Sequence, residues 1–355
     1  MKVSIVGGGP AGLIAALYLS RLPQARITVY EKQAEPPYRS SLCAEGLSLE
    51  KLSRLEEETG FCSRRFMARQ VRGIRVVFPN RTFGLVMQAG ATLNRTEWQR
   101  AMIDCLRQRG VKFSFGARIS ARGLPDGDWV VGADGPASKI RGRINGQADL
   151  VPSTQYRMRL DRPDDFLEVF VGRRFHLPST GHGYAWIFPK GRGLFNVGVG
   201  GNFQMLDQFL ADYGLAGVVE EKAAAPIAVN GTVFEDHGVM LIGDAAGLTN
   251  PITCGGLSAI ICCAGYLRQA LVSGRPGEYT RLIKANGLSP EQWRGRANVF
   301  YPPDAVLNRI GEICGNRQVN RHGPNLLARL ALAPTVWPAC LKLIRFLPDL
   351  KRVSW

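Results

Sequence analysis

The chain has 355 residues, 45% hydrophobic and 21% charged, a balance that supports a sizeable core and excludes a disordered scaffold. That length calls for two packed domains rather than one small module. Forty-five Lys and Arg against 29 Asp and Glu leave a charge of +16, which suits anionic partners, while eight cysteines are too sparse for a disulfide-stapled mini-domain.

In chain order, Val3–Val6 is an apolar run and Gly7 to Gly12 a glycine-rich interruption. Leu13–Leu22 then has a helical period, and Ile27–Tyr30 is apolar again. This is the strand-turn-helix-strand opening of a doubly wound α/β domain. Its glycines and proline argue against a signal peptide. A helix is expected over Leu47–Glu58. Val71–Phe78 and Thr82–Met87 read as strands joined by a hairpin at Pro79-Asn80-Arg81. Arg95–Arg109 is an amphipathic helix with Trp98, Met102, Cys105 and Leu106 on one stripe. Val111–Phe115 and Trp129–Ala133 return to the first sheet.

A β-rich middle follows, at Gln155–Leu160, Phe166–Val171, Tyr184–Phe188 and Leu194–Gly200, and predicts an antiparallel sheet. Val239–Ile242 is a further buried strand. Leu257–Val272 is a helix whose Cys262 and Cys263 belong to the core, and the apolar run from Gly255 to Leu267 is too short to span a bilayer. The rest of the chain, 291–355, is a helical tail cut by Pro324, Pro334, Pro338 and Pro348. No Cys-x-x-Cys pair occurs, and His176, His182, His237 and His322 do not combine with cysteines at zinc spacing, so no metal is expected.

Gly7-x-Gly9-x-x-Gly12 lies between a strand and a helix, and Glu31 closes the next strand. Gly7 turns the chain tightly, Gly9 admits a pyrophosphate and Gly12 lets helix and strand approach, while Glu31 accepts from a ribose hydroxyl. Pro10, Ala11 and Lys32 complete that dinucleotide set. Two later strands also end in an acid and a glycine: Gly132-Ala133-Asp134-Gly135, and Gly243-Asp244-Ala245-Ala246-Gly247 followed by Gly255-Gly256 and a helix. Asp244 suits ribityl hydroxyls, and the helix N-terminus suits the flavin edge where charge accumulates on reduction. Three such motifs in this order favour FAD over NAD.

Together these motifs resemble the FAD-dependent oxidoreductases related to p-hydroxybenzoate hydroxylase, and Leu93-Asn94-Arg95 looks like that superfamily's cofactor-contacting arginine. Within it, Cys43-Ala44-Glu45-Gly46, Tyr184-x-Trp186-x-Phe188-Pro189-Lys190 and Gly243–Pro251 resemble the geranylgeranyl reductase family, flavoenzymes that saturate isoprenoid double bonds. The implied architecture is α/β with an α+β insertion. A Rossmann-like FAD-binding domain comprises 1–70, 89–150 and 235–285, an antiparallel-sheet substrate domain 71–88 and 151–234, and a helical C-terminal region 286–355.

Tyr184, Trp186 and Phe188 share a strand face and would wall an apolar cavity for a polyprenyl substrate. Cys43, or a water it orients, is the candidate acid for the second alkene carbon, with Glu45 as the other candidate. Asp134 joins the cofactor anchors. Electrons would come from NAD(P)H or a redox partner, since Gly198-x-Gly200 lies in a hairpin and not in a second nucleotide loop.

The tail carries ten Lys and Arg against four Asp and Glu, and places Arg329, Lys342, Arg345 and Lys351 beside bulky apolar residues. We therefore expect a cytoplasmic protein with peripheral contact to an anionic inner membrane surface, and no nucleic-acid partner. Two rivals are a monooxygenase or halogenase on the same scaffold and a non-catalytic flavoprotein serving electron transfer or maturation.

Overall fold

The computed structural model describes residues 1–34, 43–120, 123–177, 183–250, 253–290 and 302–316. Three sheets build it. The first has six strands in the order Glu235–Asp236, Val239–Leu241, Trp129–Gly132, Lys2–Val6, Arg26–Glu31 and Lys112–Phe115, parallel except at the first pair. Its central strand, Lys2–Val6, is buried from Val3 to Val6 because neighbours and helices cover both faces, hence its unbroken apolar run.

Gly9 and Pro10 start the helix Pro10–Leu19, with proline where no helical N–H is lost. Every residue from Ala11 to Leu19 is buried, and the helix packs against Leu257–Ser273. Cys262 and Cys263 lie in that core, as the sequence predicts.

The second sheet has seven strands in the order Val218–Val229, Asp149–Arg159, Leu194–Gly200, Ala185–Gly191, Phe166–Phe170, Gly73–Val77 and Phe83–Val86. All pairs are antiparallel except Phe166–Phe170 with Gly73–Val77. The helix Phe203–Asp212 lays Leu206 and Phe209 on one face, over Tyr156, Ala185, Ile187, Val197 and Val199. Strand alternation leaves Trp186, Phe188, Asn196, Gln155 and Arg157 on the other.

Differences from expectation have local causes. Helix Leu49–Thr59 starts after Leu47 because Ser48 caps it, its Oγ accepting from Lys51 N–H at 3.3 Å. Gly46–Ser48, Gly90–Leu93 and Met67–Val71 form a small antiparallel sheet that strands of three to five residues barely announce in sequence. Val71 belongs there, while the predicted hairpin runs from Gly73. Val218–Val229 also escapes sequence reading, being a Glu-, Lys- and Ala-rich edge strand whose first five residues are exposed.

In the C-terminal region, helix Asp304–Cys314 packs Leu307 and Cys314 on Phe78 of the hairpin. Arg329, Lys342, Arg345 and Lys351 lie outside the described residues, as does His182. Among the described residues, no helix is long and apolar enough to cross a membrane, and no group of His, Cys, Asp and Glu could hold a metal ion.

Candidate cofactor and substrate site

The two glycines flanking the first turn are sterically obligatory. Gly7 has φ +112°, and a Cβ there would lie 2.2 Å from the Ala133 carbonyl oxygen; one on Gly12 would lie 1.9 Å from that of Gly7. Gly9 is different: a Cβ there meets no atom within 4 Å. The space above it opens onto a helix N-terminus without a side-chain cap, where a phosphate would replace the missing partner.

Glu31 ends its strand 7% exposed, accepting Gly8 N–H at 2.7 Å and Gln33 N–H at 2.8 Å. It thus fastens the glycine turn while keeping lone pairs for a further donor. Lys32 is exposed beside it.

The other two strand-ending turns converge on this one. A side chain at Gly243 would come 2.9 Å from Ala11 Cβ. Arg141, buried, joins the two acidic turns: one Nη donates to the carbonyls of Asp244 at 3.1 Å and Ala245 at 3.2 Å, the other to Pro136 at 2.7 Å. Sequence reading missed Arg141, whose only local signal is its place in a helix capped by Ser138.

Asp134, a cofactor anchor expected from sequence, is bonded within its own turn. Its oxygens accept from Ser138 Oγ at 2.5 Å and from the N–H groups of Lys139 at 2.7 Å and Ile140 at 3.4 Å, contacts that shape its own loop.

Asp244 accepts from Ala228 N–H at 3.0 Å. Burial pushes its carboxyl above the usual range, opposed by that N–H and by the nearby Arg95 charge. Arg95 is itself buried, at the start of helix Arg95–Gln108 and 3.4 Å from Gln99 Oε1.

Gly256 starts the helix Leu257–Ser273 without a side-chain cap, and a Cβ on it would lie 3.9 Å from Asp244 Oδ2. Gly255, exposed, accepts from Asn250 N–H at 3.1 Å. In the first turn the buried Ser258 hydroxyl has no partner among the described residues. Beside Asp244, burial pushes the Cys254 thiol up to about 12. Open space at Gly9, two uncapped helix starts and an orphaned hydroxyl fit FAD.

Opposite stand the aromatic residues. Trp186 is 4% exposed, gives Nε1–H to Gln155 Oε1 at 3.2 Å and lies 5.7 Å from Tyr184 between ring centroids. Gly198 makes room for it, since a Cβ there would fall 2.2 Å from the indole ring. The Tyr184 hydroxyl donates to the Thr253 carbonyl, tying this strand to the turn before the Leu257–Ser273 helix. Phe188 packs on Gly46, whose added Cβ would come within 2.9 Å of the ring, so the Cys43 loop and the aromatic strand share one wall.

Cys43 is half-buried, its Sγ accepting Glu45 N–H at 3.2 Å. Glu45 is 3% exposed, and its oxygens meet Lys190 Nζ at 2.5 Å, Asn196 Nδ2 at 3.1 Å and Arg157 Nη2 at 3.4 Å. Two cations and an amide thus surround the carboxylate of the second candidate acid and tie it to the sheet strands that carry them. Burial lowers Lys190 below the usual lysine range, and Glu45 pulls it back. Lys190, Arg157 and Asn196 were not candidate site residues from sequence, because nothing local marks their meeting with Glu45.

Residues 149–231 match the model for the geranylgeranyl reductase catalytic domain, and residues 5–41 that for an NAD(P)-binding Rossmann-like domain. Digeranylgeranylglycerophospholipid reductase 2 of Methanopyrus kandleri is 30% identical over 305 residues, covering 74% of each chain. A geranylgeranyl bacteriochlorophyll reductase-like protein from Thermoplasma acidophilum has a TM-score of 0.74 at 23% identity, over 94% of this chain and 97% of that one. The flavin-dependent halogenase CmlS has a TM-score of 0.66 at 17% identity, over 99% of this chain and 78% of that one, a likeness of fold.

Proposed function

This chain belongs to the geranylgeranyl reductase family of FAD-dependent oxidoreductases, and from that membership we propose that it saturates carbon–carbon double bonds in the isoprenoid chain of a lipid. One observation carries the reading: on the strand face of Tyr184, Trp186 and Phe188, Phe188 packs on Gly46 of the Cys43 loop and Tyr184 bonds Thr253, in the turn before the helix start that suits FAD.

Gly9 and Pro10 at the first helix start would hold the pyrophosphate, Glu31 the ribose, and Arg95 and Asp244 the polar middle. The start of the Leu257–Ser273 helix would face the flavin ring. Bound there and reduced, FAD supplies hydride to one alkene carbon. The Cys43 Sγ–H gives the proton to the other, and the aromatic wall excludes water and lines up the polyprenyl chain.

Gly198-x-Gly200 is strand backbone, with Gly198 pressed under Trp186. Electrons would therefore come from transiently docked NAD(P)H or a redox partner. We assign 1–70, 89–150 and 235–285 to FAD binding, 71–88 and 151–234 to the substrate, and place the enzyme in the cytoplasm at the inner membrane surface.

Because a halogenase shares the scaffold, the test must separate the two chemistries. Dithionite-reduced enzyme, mixed without oxygen with a digeranylgeranyl phospholipid, is expected to yield product heavier by two hydrogens per bond reduced, read by mass spectrometry. A product formed only in air and carrying an added oxygen or halogen would replace the reductase.

A further inference from the structure

The side chains of a lysine and a glutamate are buried behind the Cys43 loop with a half-buried arginine beside them, where an apolar cluster of similar volume would contribute as much stability. Their arrangement is specific. Glu45 has φ +69°, a left-handed backbone that a residue with a Cβ adopts rarely. That turn brings its N–H back onto Cys43 Sγ at 3.2 Å while its carboxylate reaches Lys190 Nζ at 2.5 Å.

Lys190 sits where the pairing of Ala185–Gly191 with Leu194–Gly200 slips register, a bulge that re-aims a side chain. It also donates to the carbonyl of Leu93, the residue whose N–H bonds the Glu45 carbonyl at 3.0 Å. Asn196 Nδ2 reaches the carbonyls of Ala44 at 3.2 Å and Cys43 at 3.5 Å as well as the Glu45 carboxylate. Arg157 spans Asn196 Oδ1 at 3.3 Å, Glu45 Oε1 at 3.4 Å and Glu221 Oε2 at 2.9 Å.

We propose that Glu45, Lys190, Asn196 and Arg157 are positioning residues, a clamp that fastens the Cys43 loop to the substrate sheet and presents the Cys43 thiol to the reacting carbon. The inference rests on Cys43 being the proton donor. A polar clamp suits this task because charge-assisted hydrogen bonds fix direction as well as distance, which an apolar contact does not.

The test removes both charges together, in Glu45→Gln/Lys190→Met, so that no buried charge is left alone. Alkylation of Cys43 by iodoacetamide, followed by mass spectrometry on the FAD-bound protein, is expected to accelerate roughly tenfold, the scale of one lost charge-assisted hydrogen bond. The flavin-to-protein ratio stays unchanged. Anaerobic reoxidation of the reduced enzyme by a digeranylgeranyl phospholipid falls about tenfold at saturation, while the half-saturating lipid concentration moves less than about twofold. In a Cys43→Ala background the same two substitutions change the rate no further, because coupled residues do not add. Asn196→Ala, which removes the neutral member, gives the same pattern at smaller amplitude and serves if the double variant does not fold.

Unchanged alkylation, a wild-type reoxidation rate, or full additivity with Cys43→Ala would overturn the clamp and leave the proposed reaction standing. A Cys43→Ala protein at the wild-type rate would remove the proton donor itself, and the clamp with it.

Discussion

At Asp244 the protein buries a carboxyl with little to offset its desolvation, which is expensive unless a ligand brings donors. Its folded pKa lies above the unfolded value, so the folded state holds the extra proton at low pH, and stability is lost as pH rises through the interval between the two. Asp244→Asn keeps an acceptor for Ala228 N–H and removes that penalty. FAD-free Asp244→Asn is therefore expected to melt at or above the wild type at neutral pH, with the advantage vanishing towards pH 4. The same variant should bind FAD about ten- to a hundredfold more weakly, as for loss of hydrogen bonds to a charged group. Thermal melts at two pH values and a flavin titration check both, and unchanged FAD affinity would take Asp244 out of the cofactor site.

Among elements, the strand Lys2–Val6 and helix Pro10–Leu19 show how one motif carries two physical requirements. Gly12 exists for packing: Gly12→Ala drives a methyl into the Gly7 carbonyl, and overpacking of this kind costs about 1–3 kcal/mol. A Cβ on Gly9 would meet no atom of the described residues within 4 Å, and Gly9 has extended backbone, so Gly9→Val should leave the melting temperature of FAD-free protein unchanged. Its side chain would nevertheless occupy the pyrophosphate position. The expected pair of outcomes is a stable, colourless Gly9→Val protein and a less stable Gly12→Ala protein. Flavin-to-protein ratios and melting curves separate them, and a yellow Gly9→Val protein would contradict the assignment.

For the whole molecule, two cores flank the site, one beneath the six-stranded sheet and one under the helix Phe203–Asp212. The proposed wall of aromatic residues belongs to the second sheet and the glycine turns to the first, so the proposed site requires both. A substrate that resides in a bilayer must reach it from a membrane surface. If the C-terminal basic residues Arg329, Lys342, Arg345 and Lys351 meet anionic lipid, each contributes on the order of 1 kcal/mol. Sedimentation with vesicles containing phosphatidylglycerol should then be strong at low salt and weak at high salt. Binding that ignores salt, or no binding, would return those residues to a structural role.

Sequence alone determined what short-range physics controls. The strand-turn-helix at Gly7–Gly12 was legible because turn geometry and helix approach depend on residues a few positions apart. The shared face of Trp186 and Phe188 was legible because strand alternation is local. Assembly decided the rest. Asp134 bonds within its own loop and Glu45 meets two cations, partners that neither residue's place in the sequence announces. Arg157 and Asn196 meet Glu45 across 112 and 151 residues of chain, and Arg141 meets Asp244 across 103. Burial and pairing are properties of the packed chain, because a polar group's partners are chosen by whichever segments the fold brings beside it, and no local pattern encodes that choice.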